Sequence, residues 1–448
     1  MHVQNTVSVP LDRASFVAWY RRNRERSRQI FDLLAEDAYY SQPIALRHPI
    51  VFYDGHLPAF SFNTLVKKGL GEPGIDARLE QLFARGIDPA EDGSAPPDTR
   101  ALWPSREEVR AFAAQADQRV LDALEHATLE RPGHPLLDRG EAVFAILEHE
   151  AMHQETLLYM WHRLPFSQKT APSGYTPHTV GSVASQEWIH VPGGRATLGV
   201  DREAVPFGWD NERPAYVAQV DPFEIDRHDV TNEAYMKFVA AGGYTDPQWW
   251  TPEDFAWIER EGLRHPLYWE RQGDTWYWRG MFALIPLPPS WPVYVSFAEA
   301  SAFARWRGAR LPTEAEFQRA AYGTREGTER PYPWGNDDPS PTRGVFDFYS
   351  WDPEPAGSHP QGRSEWGVED LVGNGWEWTS TPFGPFDGFR PIPSYPEYSA
   401  DVFDGQHFVM KGASPATARE LLRPTLRNWF RPHYPYVYAT FRCVRTDR

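Results

Sequence analysis

His149 and His153 stand one helical turn apart in the stretch Leu147-Glu-His-Glu-Ala-Met-His-Gln-Glu-Thr-Leu-Leu. At positions i and i+4 of a helix, two imidazoles project from the same face. Such a pair can reach a single ion from about 2 Å. The apolar residues around them imply a buried or cleft-facing stripe. The same spacing occurs in H-E-x-x-H zinc proteases, where the glutamate, here Glu150, would be a hydrolytic general base. Spacing alone therefore leaves zinc hydrolysis and oxygen chemistry both open. A third ligand is needed. His56, in Val51-Phe-Tyr-Asp-Gly-His-Leu-Pro-Ala-Phe, is the best placed, where a loop ending in Gly55 is expected to feed a helix. His48, on the flank before Pro49, is the weaker choice. Three histidines from two helices leave coordination positions open, as an oxygen-activating iron requires.

The elements that must hold these residues are helical. Arg13–Ala35 carries Phe16, Trp19, Ile30, Leu33 and Leu34 amid many charges, the pattern of one or two amphipathic helices. His56–Leu70 continues with Phe60, Phe62, Leu65 and Val66. Ser105–Ala127 opens on Ser-Arg-Glu-Glu, a capping-box pattern. Gly140–Leu164 is apolar at Val143, Ile146, Leu147, Leu157 and Leu158, and Pro165 stops it. Four such stretches predict an N-terminal four-helix bundle over residues 1–168.

Residues 169–185 are rich in Ser, Thr, Pro and Gly and read as a linker. From 186 to 448 the character changes. Trp188-Ile-His-Val-Pro-Gly-Gly reads as a short strand ending in a turn. Thr231–Ala241 and Ser296–Arg307 read as helices, and Phe441-Arg-Cys-Val-Arg as a final strand. With 42 Pro, 33 Gly and 19 Trp, this is an α+β domain of long irregular segments whose spaces are filled by large rings.

Bulk properties narrow the function. A length of 448 residues exceeds one ordinary core. A formal net charge of −16 disfavours nucleic acid and anionic membranes as partners. The single cysteine, Cys443, rules out an internal disulfide or a cysteine-pair metal site, and its place in the final strand suggests packing. With no apolar run long enough to span a bilayer and no apolar leader, a soluble cytoplasmic protein is expected. No obligate protein partner is evident.

Several segments of the C-terminal part carry a resemblance: Val191-Pro-Gly-Gly, Asp210-Asn-Glu-Arg-Pro, Phe223-Glu-Ile-Asp-Arg-His-Asp-Val-Thr-Asn-Glu-Ala-Tyr, Ala309-Arg-Leu-Pro-Thr-Glu-Ala-Glu-Phe, Tyr332-Pro-Trp-Gly-Asn and Gly373-Asn-Gly-Trp-Glu-Trp-Thr. Together they resemble the formylglycine-generating-enzyme (sulfatase-modifying-factor) domain, a C-type-lectin-like fold. A DinB-like bundle joined to that domain is similar to the ergothioneine and selenoneine synthases, mononuclear non-haem iron enzymes. The resemblance implies an oxidoreductase that joins a chalcogen donor to the imidazole of hercynine with Fe(II) and O2. It places the ligand roles on His56, His149 and His153.

The resemblance also marks the donor. Synthases that take γ-glutamylcysteine have an Asn-Trp-Asp segment and a basic residue soon after. Here the segment is Arg427-Asn-Trp-Phe-Arg-Pro-His-Tyr. Asn428 and Trp429 match, Phe430 replaces the acid, and Tyr434 stands near the basic position. The family's Gln before the last metal histidine is Met152. Aromatic rings suit a sugar face better than a zwitterion, so the departures point to a selenosugar donor and selenoneine biosynthesis. Cysteine or γ-glutamylcysteine, and so ergothioneine biosynthesis, is the alternative. Asn428 is expected on the hercynine imidazole, with Trp376, Trp378 or Trp429 facing the trimethylammonium. Remoter alternatives are a zinc-dependent DinB-type thiol transferase or hydrolase, and a carbohydrate-binding module with a structural metal.

Overall fold

The computed structural model describes residues 12–84, 103–182 and 186–446. The linker residues 183–185, and residues 1–11, 85–102 and 447–448 of the two expected domains, lie outside that set. The chain divides into two compact units. One holds residues 1–175 with two later segments, 203–207 and 391–398; the other holds the remainder.

The first unit is a bundle of α1 (Arg13–Asp32), α2 (Ile50–Ser61), α4 (Arg106–His126) and α5 (Glu141–Arg163), with a short α3 (Ala77–Leu82). Ser105 caps α4 as its sequence suggests, its hydroxyl accepting the Glu108 N–H. Nearly every residue of α5 is buried, so this helix is the bundle's centre. That explains why polar residues on it are chemically committed: a buried charge or imidazole needs a partner. The expected start of α2 needs correcting. No loop ends at Gly55; the helix begins at Ile50 after Pro49 and runs through Gly55 and His56. The glycine signal misleads because Ile50, Val51, Phe52 and Tyr53 are buried together, and tertiary burial outweighs one glycine. After Ser61 the helix widens into a π-helical stretch, Phe62–Gly69.

The second unit is built from short sheets and long connections. β1 (Trp188–Val191), β4 (Phe223–Asp226) and β12 (Val444–Thr446) form one sheet in the order β1-β4-β12, antiparallel throughout. A second contains β8 (Gly375–Pro382), β9 (Phe408–Ala413), β10 (Asn428–Phe430) and β11 (Ala439–Thr440) in the order β10-β9-β8-β11. β2 (Gly194–Leu198) pairs β3 (Tyr216–Val220), and β5 (Trp269–Gln272), β6 (Thr275–Arg279) and β7 (Leu284–Pro286) form a three-stranded meander. Four helices, α6 (Asn232–Ala240), α7 (Pro252–Glu261), α8 (Phe297–Trp306) and α9 (Glu314–Tyr322), are each opened by a Thr or Ser side chain on the backbone: Thr231, Thr251, Ser296 and Thr313.

The expected final strand is interrupted. Phe441–Cys443 lie between β11 and β12 because Arg442 turns inward, wholly buried. Its guanidinium meets Glu377 through two hydrogen bonds of 2.6 and 2.8 Å, reaches Asp229 at 3.1 Å, and donates to three carbonyls. A buried cation is tolerable only with such full pairing. Cys443 is buried and burial pushes its thiol well up, so it packs. Among the described residues no helix is long and apolar enough to cross a membrane.

Candidate metal centre

His56 on α2 and His149 and His153 on α5 come together, all three buried. Among the described residues this is the one cluster of His, Cys, Asp or Glu able to hold an ion from three side chains; one nitrogen of each lies within 4.8 Å of the others. The Nε2 atoms of His56 and His149 are 3.3 Å apart. Two nitrogens each about 2.1 Å from a common ion would be about 3.0 Å apart at a right angle and about 3.4 Å at a tetrahedral angle. The spacing therefore fits a metal and does not choose its coordination geometry.

Aromatic rings fix the imidazoles. Phe52, His56 and Phe60 are four residues apart on α2 and share a face. Phe52 stacks on His56 at 4.8 Å, and Phe60 stacks on His149 at 3.5 Å with the planes 9° apart. This i, i+4, i+8 alternation of Phe, His and Phe is legible in the sequence and is the signal that supports His56 over His48. His48 instead packs its ring on Phe52 at 4.2 Å. The Nδ1 of His56 donates to the Phe83 carbonyl at 2.7 Å, leaving its Nε2 lone pair turned to the cluster. The buried Nδ1 atoms of His149 and His153 have no hydrogen-bond partner.

Burial lowers the His56 pKa to about 4 and holds His149 and His153 well below the ordinary histidine value, helped by mutual repulsion. All three are neutral near pH 7, the form that binds a metal. An ion here would use the lone pairs that the neutral imidazoles turn toward one another, such as those on the Nε2 atoms of His56 and His149.

Glu150 points elsewhere. It is fully buried against α1, accepting from Ser27 Oγ at 2.7 Å and Arg24 at 2.9 Å, and Arg24 also holds Asp117 at 2.8 Å. It is a brace between helices.

The segment 391–398 supplies residues that no sequence spacing could have tied to the cluster. The Tyr395 ring lies 5.4 Å from Phe60 and 6.2 Å from His149, and the Tyr398 hydroxyl donates to the Met152 sulfur at 3.2 Å. Tyr395 is a phenol beside the triad that sequence reasoning missed, and Tyr53, 5.8 Å from His153, is another.

In the second unit Asn428, Trp429 and Phe430 form β10, paired with Met410, Val409 and Phe408. Trp429 stacks on Phe383 at 4.3 Å. Phe430 and Tyr434 stack face to face at 4.8 Å, 11° apart, so each has one face taken by the other. Trp378 is wholly buried with its indole N–H on the Val295 carbonyl, and Trp376 is 3% exposed on the same strand. Both positions are those of core residues.

Residues 176–447 match the sulfatase-modifying factor enzyme 1-like domain, and residues 20–157 match the DinB superfamily. The hercynine oxygenase of Mycobacterium tuberculosis is 36% identical, over 82% of this chain and 88% of its own.

This chain belongs to the hercynine oxygenase family.

A second member, from Mycolicibacterium smegmatis, is 35% identical over 75% of this chain and 77% of its own. The ergothioneine biosynthesis protein 1 of Neurospora crassa is 27% identical over 92% of this chain and 55% of its own. Family membership fixes the two-domain composition and the fold class, α+β with a DinB-like helical domain first.

Proposed function

We propose that this hercynine oxygenase family member is an Fe(II)- and O2-dependent enzyme that forms a carbon–selenium bond on the hercynine imidazole, with a selenosugar as donor. The names of its relatives support hercynine as substrate. The observation that carries the iron reading is the buried neutral triad His56, His149 and His153. Bound there, iron would supply open positions for the donor's chalcogen as an anion and for O2. In balance, the imidazole C–H and the donor Se–H are lost, one oxygen of O2 goes to selenium and the other to water.

The chain's own residues have separable tasks. Phe52 and Phe60 hold two of the imidazoles in plane. Phe60 and Tyr395 line the triad with rings, which exclude water from one side, and Tyr395 brings a hydroxyl as a proton source. Asn428 and Trp429 bind hercynine, by hydrogen bond and by the ring face offered to its trimethylammonium. Glu150 is held by Arg24 and Ser27, which removes the general base a zinc hydrolase would need.

Selenium is supported by what stands at Phe430 and Tyr434. A stacked, uncharged ring pair gives a dipeptide carboxylate or ammonium no partner, at about 1–3 kcal/mol for each unmatched group. Uncharged rings suit a sugar face better than a zwitterion. The sulfur version, with cysteine or γ-glutamylcysteine, is the second reading, favoured by the relative named for ergothioneine biosynthesis. Incubating the Fe(II)-loaded protein with hercynine, O2 and each donor in turn, with product mass as readout, tests both. We expect at least a tenfold preference for the selenosugar, about 1.4 kcal/mol. Equal turnover of γ-glutamylcysteine would transfer the assignment to sulfur, and no product with any donor would remove hercynine.

A further inference from the structure

Gly55 sits in the middle of α2, next to a proposed metal ligand, and its backbone is ordinary right-handed helix. Nothing in that conformation requires glycine. Glycine in a helix interior costs about 1 kcal/mol relative to alanine. What the position lacks is room. A Cβ built there would lie 2.3 Å from Phe83 Cε2 and Cζ and 2.4 Å from Cε1, far inside van der Waals contact.

Phe83 is the residue whose backbone carbonyl accepts from His56 Nδ1 at 2.7 Å. It is wholly buried and caps the end of α3. Its ring also meets Phe112 at 6.0 Å and Phe52 at 6.4 Å. The approach to it is anchored by Glu80, buried, which accepts from the Ile75 and Asp76 N–H groups and from Lys67. The short strap of α3 is thus tied at Glu80 and seated at Gly55, and its last carbonyl sets one ligand.

We propose that Phe83, seated in the gap left by Gly55, is a positioning residue for the metal centre: its carbonyl holds His56 as the Nδ1–H tautomer with Nε2 aimed at His149 and His153. The proposal rests on the reading of the triad as a metal site. Groups that orient a ligating imidazole are worth about 10–100-fold in metal affinity.

The test measures affinity for Fe(II) without oxygen, by competition with a chromophoric chelator, beside the Tm of the metal-free protein. Gly55→Ala should weaken affinity by about 10–100-fold. Phe83→Leu lacks the Cε and Cζ atoms that the new Cβ would meet. Phe83→Leu keeps the carbonyl and should bind within about threefold of wild type, and the double variant Gly55→Ala/Phe83→Leu should bind within about threefold of Phe83→Leu and more tightly than Gly55→Ala. A role in folding alone would lower Tm without this rescue of affinity. Wild-type affinity in Gly55→Ala, or a double variant no better than Gly55→Ala, overturns the proposal. Nitrogen-15 histidine spectra of the metal-free wild type give an independent reading. His56 should carry its proton on Nδ1, and a proton on Nε2 overturns the clamp. Failure of wild type to bind any divalent ion would instead remove the metal reading, with the spectra still reporting on the clamp.

Discussion

At His149 and His153 a single substitution separates structure from chemistry. Either imidazole replaced by Ala removes one of three nitrogens while leaving the α5 backbone unchanged. Metal analysis after anaerobic loading with Fe(II) should find the site empty in His149→Ala and in His153→Ala, with the helical signal retained. Full occupancy in either variant would refute the ligand assignment. One residue along, Glu150 should behave in the opposite way. Removing it leaves Arg24 buried with Asp117 as its remaining acid partner. Because Asp117 still compensates Arg24, Glu150→Ala should cost about 1–3 kcal/mol of stability, the range for a lost hydrogen bond to a charged group. Glu150→Gln should keep its bond to Ser27 and retain most oxygen-dependent turnover. Loss of turnover in Glu150→Gln with stability intact would restore the general-base role.

β10 is the element on which donor choice is proposed to turn. Its position is fixed from below by a buried ionic group. Arg427 is held by Glu314 at 3.0 and 3.2 Å, and Lys411 on β9 donates to the carbonyls of Pro424 and Leu426 at 2.8 Å. Against this rigid base, Phe430→Asp with Tyr434→Arg exchanges the stacked rings for an acid and a base. It should erode the preference for a selenosugar over γ-glutamylcysteine by about tenfold or more, read from kcat/KM for each donor. An unchanged ratio would detach these rings from the donor. Lys411 gives the neighbouring strand β9 a pH signature. Burial lowers its pKa to about 8 from 10.5. Between those values the unfolded chain keeps a proton that the folded chain has lost, so this group's contribution to stability rises with pH across the window. The difference in Tm between wild type and Lys411→Met should move in the wild type's favour from pH 8 to 10.5. A constant difference would mean that Lys411 titrates normally.

For the whole molecule the division into units decides what is required for a working metal centre. Residues 391–398 belong to the bundle unit, although more than 200 positions separate them from α5. They bring the Tyr395 ring to His149 and a bond from the Ser394 N–H to Glu141 at 3.3 Å. Residues 12–182 expressed alone should accordingly bind Fe(II) more weakly than the full chain, and equal affinity would show that the segment is dispensable. The sequence by itself determined the parts governed by local periodicity. Helix spacing put His149 and His153 on one face, a capping pattern marked α4, the stretches of α6 and α8 read as helices, and motif segments pointed to the second domain. It misplaced the start of α2, because a glycine reads as a break when the ring that needs its space is 28 residues away. It also could not find Tyr395 or the Phe83 carbonyl. Local signals reach about one turn or one strand pair, whereas the partners of a buried imidazole are set by long-range packing, which only the tertiary structure decides.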